Sequence, residues 1–208
     1  MISDYLGNIA LGYLLGAVPY GLIVGYVWLR RDIRESGSGM TGTTNVLRTA
    51  GKTAAGIVVV CDIGKGAAPA LFGRFVLDND GAAAAGAAAA IVGHVWPVFA
   101  GFRGGRGVAT GYGGILGLSP VVAAFFPLLL IVPVGVMRYM SLGSILGTPI
   151  AAGAIVAGAA LGWQPWAFAL YAIFVVVLVE YMHVPNIRRL LAGTEPKMGQ
   201  GGERRATG

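Results

Sequence analysis

A stretch rich in glycine and hydroxyl residues occupies positions 36–48, where the sequence is SGSGMTGTTNVLR. Glycine permits positive φ angles and lets backbone N–H groups approach a ligand closely. Successive N–H groups together with hydroxyl donors form an anion-binding nest, and a helix that begins after them adds a favourable dipole. Arg48 can add a bidentate contact to phosphate. A flexible turn is the ordinary alternative for this composition, and with Asn45 and Arg48 present both interpretations stand.

A second glycine loop, at positions 102–110, has the sequence FRGGRGVAT and also precedes a predicted helix. It is not a Walker A motif, which needs G-x-x-x-x-G-K-[ST] after a strand. Positive charge at the inner membrane face explains two arginines, but it does not explain three glycines between and beside them. A phosphate-binding loop explains both features. The predicted phosphate contacts are Arg103, Gly104, Gly105, Arg106 and Gly107.

A third group of polar residues comes from two distant segments, RYMS at 138–141 and HVPNIRR at 183–189, followed by Glu195. The sequence predicts that His183 lies just beyond the last membrane span, at the membrane edge. Histidine is the side chain best suited to proton transfer near neutral pH. A solvated or helix-capping histidine is the common alternative, but Asn186 and two arginines follow within six residues.

One pair of ionisable residues is predicted inside an apolar stretch. Asp62 and Lys65 are three residues apart, so they can meet on one face of a helix. Ionisable side chains at membrane depth are functional candidates by default, and mutual neutralisation of a buried pair is the alternative. The single cysteine, Cys61, offers neither a disulfide framework nor a thiolate metal site.

The elements that hold these residues must be membrane helices. The 208 residues are 56% hydrophobic and 12% charged, and the mean hydropathy is +0.73. A soluble domain has about twice that charged fraction. A spanning helix needs about 20 residues, so this length allows six or seven spans and no separate soluble domain. The first segment lacks a basic region before it and a cleavage site, so we expect a retained span.

We predict an all-α, polytopic membrane protein with about seven transmembrane helices in a single domain, 1–208, ending in a polar cytoplasmic tail, 193–208. The fourth span is short, and three prolines interrupt the next one, so a six-span chain with 107–137 as one broken crossing is the alternative. Small-residue faces such as GAAAAGAAAA are expected to bring helix backbones close together. The predicted spans are 5–29, 54–76, 82–100, 107–119, 121–137, 142–161 and 165–182.

The distribution of basic residues predicts the orientation. With seven spans, thirteen of the fifteen Lys and Arg residues fall on one side, whereas Arg74 is near the other side and Lys65 is inside a span. The N-terminus is therefore expected outside and the C-terminus in the cytoplasm, and the six-span alternative would place Arg138 outside. The residues on the basic side are Arg30, Arg31, Arg34, Arg48, Lys52, Arg103, Arg106, Arg138, Arg188, Arg189, Lys197, Arg204 and Arg205.

In order and spacing, these motifs resemble the bacterial acyl-phosphate:glycerol-3-phosphate acyltransferases, the PlsY family. The resemblance covers nearly the whole chain and includes the first-span LGAVPYG and the second-span DIGKG. It implies transfer of a fatty acyl group from acyl phosphate to the 1-hydroxyl of sn-glycerol 3-phosphate, giving lysophosphatidic acid and phosphate, the first acylation of phospholipid synthesis. The main motifs are SGSGMTGTTNVLR, GHVWPVFAGFRGGRGVAT, RYMSLGS and HVPNIRRLLAGTE.

The resemblance also implies the setting of this reaction. It implies seven membrane helices in the bacterial cytoplasmic membrane, an active site that faces the cytoplasm, and no metal or cofactor. The expected partners are the two substrates and membrane lipid, with the enzyme that supplies acyl phosphate as a candidate and no nucleic acid.

Roles for individual residues follow from the same resemblance. Those expected in catalysis are Ser38, Arg48, His183 and Asn186. Those expected to bind substrate or phosphate are Gly37, Gly39, Thr44, Asn45, Ser141 and the second loop from Arg103 to Gly107. Those expected to maintain the structure are Glu195, Asp62 and Lys65.

Several positions depart from the family pattern. Met40 stands where the family usually has asparagine, and Thr41 and Thr43 stand where it usually has a compact aliphatic residue and alanine. Arg103 and Arg106 replace the usual lysines, which keeps the charge but presents a longer and planar group to phosphate.

The predicted mechanism is direct attack by the substrate hydroxyl, without an acyl-enzyme. Both substrates are anionic, so the arginines supply the positive potential that holds two phosphate groups near each other. The proton would go to His183 or to a phosphate oxygen of the donor. A membrane transporter or channel for a small phosphorylated anion is the second functional class, and a non-catalytic assembly protein leaves the glycine, hydroxyl and arginine motifs without a purpose.

Overall fold

The computed structural model describes residues 1–201, which fold into eight α-helices. These residues form no strand, in agreement with the predicted all-α class. Two arginines of the predicted basic side, Arg204 and Arg205, lie outside the described residues. By length and composition six segments of the described chain can cross a membrane, counting the first two helices as one. The helices are α1 (Ile2–Gly16), α2 (Tyr20–Leu29), α3 (Thr43–Phe75), α4 (Asp80–Val95), α5 (Val108–Leu118), α6 (Pro120–Met137), α7 (Met140–Ala160) and α8 (Trp166–Leu191).

The first and last predicted spans differ from the structure in detail. The first span is divided into α1 and α2 just before Pro19, because proline lacks an N–H and disfavours helical geometry in the residue before it. The last helix does not end at residue 182 but continues to Leu191, with Arg188 and Arg189 favourably placed near its carboxyl end. His183 therefore lies inside α8 and is 2% exposed, rather than solvated beyond it.

Helices α5 and α6 form a hairpin around Ser119. The rings of Tyr112 and Phe126, seven residues before and after Ser119, stack with centroids 5.2 Å apart. One continuous helix would separate residues fourteen positions apart by about 21 Å. The chain therefore reverses here, and 107–137 is not one broken crossing. Helix α5, at 11 residues, is about 16 Å long and cannot by itself span a core of about 30 Å.

Arg74 supplies hydrogen bonds to the last carbonyl oxygens of this short helix. Its Nη1 atom donates to the carbonyl oxygens of Gly117 and Leu118 at 2.9 and 3.1 Å. These carbonyls have no partners within α5, and a cation at a helix carboxyl end also interacts favourably with the helix dipole. The carboxyl ends of α3 and α5 consequently lie together, at the end of the bundle opposite to the glycine loops.

Small residues bring α1 and α4 into backbone contact, as the sequence predicted. A Cβ atom on Gly12 or Gly16 would overlap the carbonyl oxygens of Gly86 or Ala90. The buried Asn8 side chain connects the same region, because its Nδ2 atom donates to the carbonyl oxygens of Pro69 and Ala82 at 3.0 and 2.8 Å. Close backbone packing and interhelical hydrogen bonds are the interactions that hold helices together in lipid.

The polar connectors meet at one end of the bundle. Hydrogen bonds join the segments around residues 34–48, 100–104, 138 and 196–198, which are far apart in the sequence. The side of the membrane that this end faces stays a prediction from its positive charge. The bonds are Arg34 Nη1 to Ala100 O (2.8 Å), Thr41 N to Gly104 O (3.3 Å), Arg48 Nη2 to Pro196 O (3.3 Å) and Met198 N to Arg138 O (2.7 Å).

Candidate active site

A cavity of about 320 Å³, here called the main cavity, lies among α3, α5, α6, α7, α8 and the two glycine loops. Its lining combines polar residues from all three sequence motifs with apolar residues from the membrane helices. The polar residues include Ser38, Thr43, Thr44, Arg106, Ser141 and His183. The apolar residues include Val59, Ile63, Tyr112, Phe126, Leu130 and Ile131.

A second cavity of about 410 Å³, here called the basic cavity, adjoins the first. Ser38, Met40 and Arg106 line both cavities, so the two spaces meet at these residues. Arg48 and Arg189 add two further guanidinium groups to the basic cavity. The arrangement places an apolar space beside a positively charged one.

The first glycine loop, residues 36–42, is shaped by Asn45. The Asn45 Oδ1 atom accepts a hydrogen bond from the Ser38 N–H at 2.9 Å, and its Nδ2 atom donates to three carbonyl oxygens, those of Ile33, Ser36 and Met40. Gly37 and Gly39 have φ angles of 57° and 71°, which favour glycine. The Asn45 side chain therefore holds the loop, which leaves the Ser38 hydroxyl and Thr44 beside the main cavity.

Arg48 and Arg106 are the buried cations of the site. The Nε atoms of both residues are buried and have no hydrogen-bond partner within residues 1–201. Burial lowers the pKa of Arg106 to about 10, with the neighbouring arginines contributing and Glu195 opposing. Arg48 does donate through Nη2 to the Pro196 carbonyl oxygen, but a buried N–H donor without a partner is costly, so an anion that accepts from the two Nε atoms would be favoured.

The second glycine loop, residues 101–107, is anchored to the end of α4. Gly104 and Gly105 donate their N–H groups to the carbonyl oxygens of Val95 and His94, both at 3.1 Å. Gly107 has a φ of 84° and directly precedes α5. Arg106 points into both cavities, whereas Arg103 is exposed and lines neither of them. The structure thus brings one of the two predicted loop arginines to the site.

His183 presents one ring nitrogen as an acceptor. Its Nδ1 atom is 2.8 Å from the carbonyl oxygen of Val179, one turn earlier in α8. A carbonyl only accepts hydrogen bonds, so in this arrangement Nδ1 carries the proton and Nε2 is free to accept one. Because His183 lines the main cavity, a proton acceptor is available beside the polar residues of all three motifs.

Glu195 connects the other residues of the third motif. Ser141 Oγ and Asn186 Nδ2 both donate to its Oε1 atom at 2.7 Å, and Arg189 Nε donates to its Oε2 atom at 2.7 Å. Burial raises the pKa of Glu195, but these three hydrogen bonds outweigh burial and hold the pKa below its ordinary value. The Asn186 Oδ1 atom is buried and keeps no partner in the described chain, but Asn186 lines neither cavity, so its catalytic role stays a prediction.

Asp62 and Lys65 do meet, with 2.9 Å between Oδ1 and Nζ. Their third neighbour, His94, was not predicted; its Nδ1 atom is 3.5 Å from the same Asp62 oxygen. The sequence did contain a signal for His94, because it is one of only two histidines in the chain. The structure places both histidines at the main cavity. Among the described residues there is no cluster of three or more His, Cys, Asp or Glu side chains that could hold a metal.

Comparison with known proteins identifies the family. The model of the glycerol-3-phosphate acyltransferase family matches residues 6–193. The chain belongs to this family. A relative from Dehalococcoides mccartyi, glycerol-3-phosphate acyltransferase 3, is 39% identical over 212 residues, covering 96% of this chain and 98% of the relative. A glycerol-3-phosphate acyltransferase from Rubrobacter xylanophilus is 43% identical, with 92% and 94% covered.

Two solved structures of this family have the same fold. Both are of PlsY, described as an integral membrane glycerol 3-phosphate acyltransferase. The glycerol 3-phosphate form has a TM-score of 0.85 and 36% identity, with 94% of this chain and 96% of that chain covered. The lysophosphatidic acid form has a TM-score of 0.82 and 34% identity, with 93% and 94% covered. This likeness confirms the all-α membrane architecture and the family resemblance predicted from the motifs.

Proposed function

We propose that this protein transfers a fatty acyl group from acyl phosphate to the 1-hydroxyl of sn-glycerol 3-phosphate, giving lysophosphatidic acid and inorganic phosphate. The observation that supports this most is that Arg48 and Arg106 line a basic cavity, which meets the apolar one at Arg106, and that their buried Nε atoms have no hydrogen-bond partner among residues 1–201. Such a junction suits substrates that combine a phosphate with a fatty chain.

The apolar part of the main cavity suits the acyl chain of the donor. Its lining comes from α3, α5 and α6, and Phe126 and Tyr112 form a stacked pair within it. Apolar burial contributes about 0.8 kcal/mol for each methylene group, so an acyl chain gains substantial binding energy there. The phosphate of the donor would then lie near the Ser38 hydroxyl and Arg48, which line the basic cavity together, and the phosphate of glycerol 3-phosphate would lie on Arg106.

The reaction proceeds by direct attack. The 1-hydroxyl oxygen forms a bond to the acyl carbon, and the bond between that carbon and the phosphate oxygen breaks, releasing phosphate. The hydroxyl proton goes to Nε2 of His183 or to a phosphate oxygen of the donor. Because acyl phosphate is already activated, holding the two substrates in contact supplies much of the acceleration. Arg48 stabilises the charge that moves onto the leaving phosphate.

The proposed location is the bacterial cytoplasmic membrane, with the site open to the cytoplasm. What supports this side is the concentration of arginines and lysines at the end of the bundle that holds the glycine loops. The opposite end has Arg74, which is engaged with the carbonyl oxygens of α5.

The donor is tested with purified protein, radiolabelled glycerol 3-phosphate, and either acyl phosphate, acyl-CoA or acyl carrier protein as the only donor. Lysophosphatidic acid from acyl phosphate alone supports the proposal. If only acyl-CoA gives product, the proposed donor is contradicted. If none of the three donors gives product, the enzymatic proposal is contradicted. In that case, uptake of labelled glycerol 3-phosphate into vesicles would identify the transporter alternative.

The assignment of Arg106 has a matched control in the same loop. Arg106→Met removes a guanidinium that lines both cavities, whereas Arg103→Met removes an exposed one that lines neither. We expect the KM for glycerol 3-phosphate to rise at least about tenfold in the first variant, since a charged hydrogen bond contributes about 1.5–3 kcal/mol. Equal effects of the two substitutions would contradict the assignment. An acyl group trapped on Ser38 would contradict direct attack.

A further inference from the structure

Three buried ionisable residues outside the predicted motifs form one cluster beside the main cavity. Lys65 pairs with Asp62, whose Oδ1 atom is also 3.5 Å from Nδ1 of His94, and each of the three residues is 5% exposed or less. Asp62 and His94 line the main cavity. The Lys65 Nζ atom donates at 3.1 Å to the carbonyl oxygen of Val18, at the break between α1 and α2.

This cluster is in direct contact with the second glycine loop. The His94 carbonyl accepts the Gly105 N–H, and a Cβ atom on Gly105 would overlap the Nε2 atom of the His94 ring. His94 therefore limits the position of Gly105 by a hydrogen bond at the backbone and by contact at the side chain.

The second loop in turn holds the first loop. The Thr41 N–H donates to the carbonyl oxygen of Gly104 at 3.3 Å. The Thr41 carbonyl packs so closely on Gly21, near the start of α2, that a Cβ atom there would overlap it. Since α2 begins two residues after the Val18 carbonyl that Lys65 holds, the contacts form a closed circuit through both loops.

We propose that His94, held by Asp62 and Lys65, is a positioning residue that sets the separation of the two glycine loops and hence of Arg48 and Arg106. The inference rests on the proposed function, in which two phosphate-bearing substrates must be held in contact. In such a reaction a displacement of about 1 Å costs about a hundredfold in rate. A defect in loop separation therefore lowers kcat while each substrate still binds.

The first test compares two substitutions of His94. His94→Asn keeps an N–H donor near the position of Nδ1, whereas His94→Leu removes it. We expect kcat to fall about a hundredfold in the leucine variant. The asparagine variant should recover to within about tenfold of wild type, and calorimetric binding of glycerol 3-phosphate should stay within about threefold in both. Thermal unfolding in detergent and the pH profile of kcat are measured alongside.

Four outcomes would overturn the proposal. They are an unchanged kcat in His94→Leu, equal defects in the two variants, loss of glycerol 3-phosphate binding together with a lower unfolding temperature, and loss of the acidic limb of the pH profile. The third outcome would indicate a defect in folding only. The fourth would indicate that His94 exchanges protons with the substrate.

A double-mutant cycle tests the contact between ring and loop without depending on either variant alone. Gly105 is outside the positive-φ region, so alanine is acceptable to the backbone, and the three atoms nearest to an added Cβ all belong to the His94 ring. We expect Gly105→Ala to lower kcat at least about tenfold in wild type and less than about twofold in a His94→Ala background. An equal loss in both backgrounds would refute the contact.

Gly104 supplies the matched control for this cycle. A Cβ atom on Gly104 would overlap the backbone carbonyl of His94, which remains when the side chain is removed. Gly104→Ala should therefore be equally harmful in both backgrounds, and relief by His94→Ala would contradict the proposed geometry. All rates are measured with acyl phosphate and with acyl-CoA. If only acyl-CoA supports turnover, the proposed donor fails, but the cycle can still be measured with that donor.

Discussion

Ser141 and Asn186 donate hydrogen bonds to the same carboxylate oxygen of Glu195, each over 2.7 Å. The three residues come from α7, α8 and the segment that follows α8, so one buried carboxylate joins three parts of the chain at the edge of the main cavity. Arg189 donates to the other oxygen. Glu195 consequently fixes the orientation of the Asn186 side chain.

We expect Glu195→Gln to destabilise the protein. The amide brings N–H groups where three donors already converge, and a mismatched buried hydrogen bond costs about 1–3 kcal/mol. Thermal unfolding in detergent at neutral pH measures the loss, together with a lower kcat from the misplaced Asn186. An unfolding temperature equal to that of wild type would show that the carboxylate is not needed.

The same substitution gives a pH prediction. The pKa of Glu195 is lower in the folded protein than its ordinary value of 4.5, because the hydrogen bonds from Ser141, Asn186 and Arg189 outweigh burial. A carboxylate with a lowered folded pKa contributes stability above its unfolded pKa and loses it as the pH falls through the folded pKa. The difference in unfolding free energy between wild type and Glu195→Gln should therefore shrink below about pH 4.5. A difference that is constant between pH 7 and pH 3.5 would contradict this.

We expect the binding of glycerol 3-phosphate to weaken at high pH because Arg106 loses its charge there. Burial lowers its pKa to about 10, so its charge is lost as the pH rises through about 10. Calorimetric binding of glycerol 3-phosphate should weaken over this range. In Arg106→Lys the weakening should begin at a lower pH, because the ordinary pKa of lysine is below that of arginine and burial lowers both. Arg103→Lys, at an exposed position, should behave as wild type, and a shift in that control would point to a general effect of lysine.

The proton acceptor can be tested at His183. His183→Asn retains an N–H donor for the Val179 carbonyl but removes the acceptor at Nε2. We expect kcat to fall by about 10²–10⁴, the usual contribution of a general base, while the KM for glycerol 3-phosphate changes little. A fall of less than about tenfold would instead indicate that a phosphate oxygen of the donor takes the proton.

Much of this architecture could be predicted from local patterns. Hydropathy located the membrane helices, and glycine, hydroxyl and arginine residues marked the two loops around Ser38 and Arg106. Helix hydropathy and loop composition depend on residues that are adjacent in the chain, so both can be recognised in the sequence. The end of α8 was misplaced because hydropathy changes at His183, whereas the helix continues wherever its polar side chains face protein.

Contacts between distant segments could not be predicted. His94 lies thirty-two positions after Asp62, and only the packing of α3 against α4 brings the two side chains together. Arg103 and Arg106 looked equivalent in the sequence, but the turn of the second loop exposes one and buries the other. The support that Asn45 gives to the first loop was not predicted either, because its hydrogen bonds go to backbone atoms that only the folded loop brings to it, and its ligand contact stays a prediction.

The apolar part of the main cavity predicts control of acyl-chain preference by Phe126. This residue is 1% exposed and stacks on Tyr112, whereas its neighbour Phe125 is 62% exposed and does not line the cavity. Phe126→Leu removes ring volume from the space proposed for the chain. Each further methylene that fits would improve kcat/KM about fourfold, from about 0.8 kcal/mol of apolar burial.

The measurement is kcat/KM for acyl phosphates with 14, 16 and 18 carbons in wild type, Phe126→Leu and the control Phe125→Leu. We expect the ratio of the 18-carbon to the 14-carbon value to rise in Phe126→Leu and to stay at the wild-type level in Phe125→Leu. If the ratio changed equally in both variants, the effect would come from general loosening of α6. If it changed in neither, the acyl chain would lie elsewhere, because removal of a buried ring from its path must alter the fit.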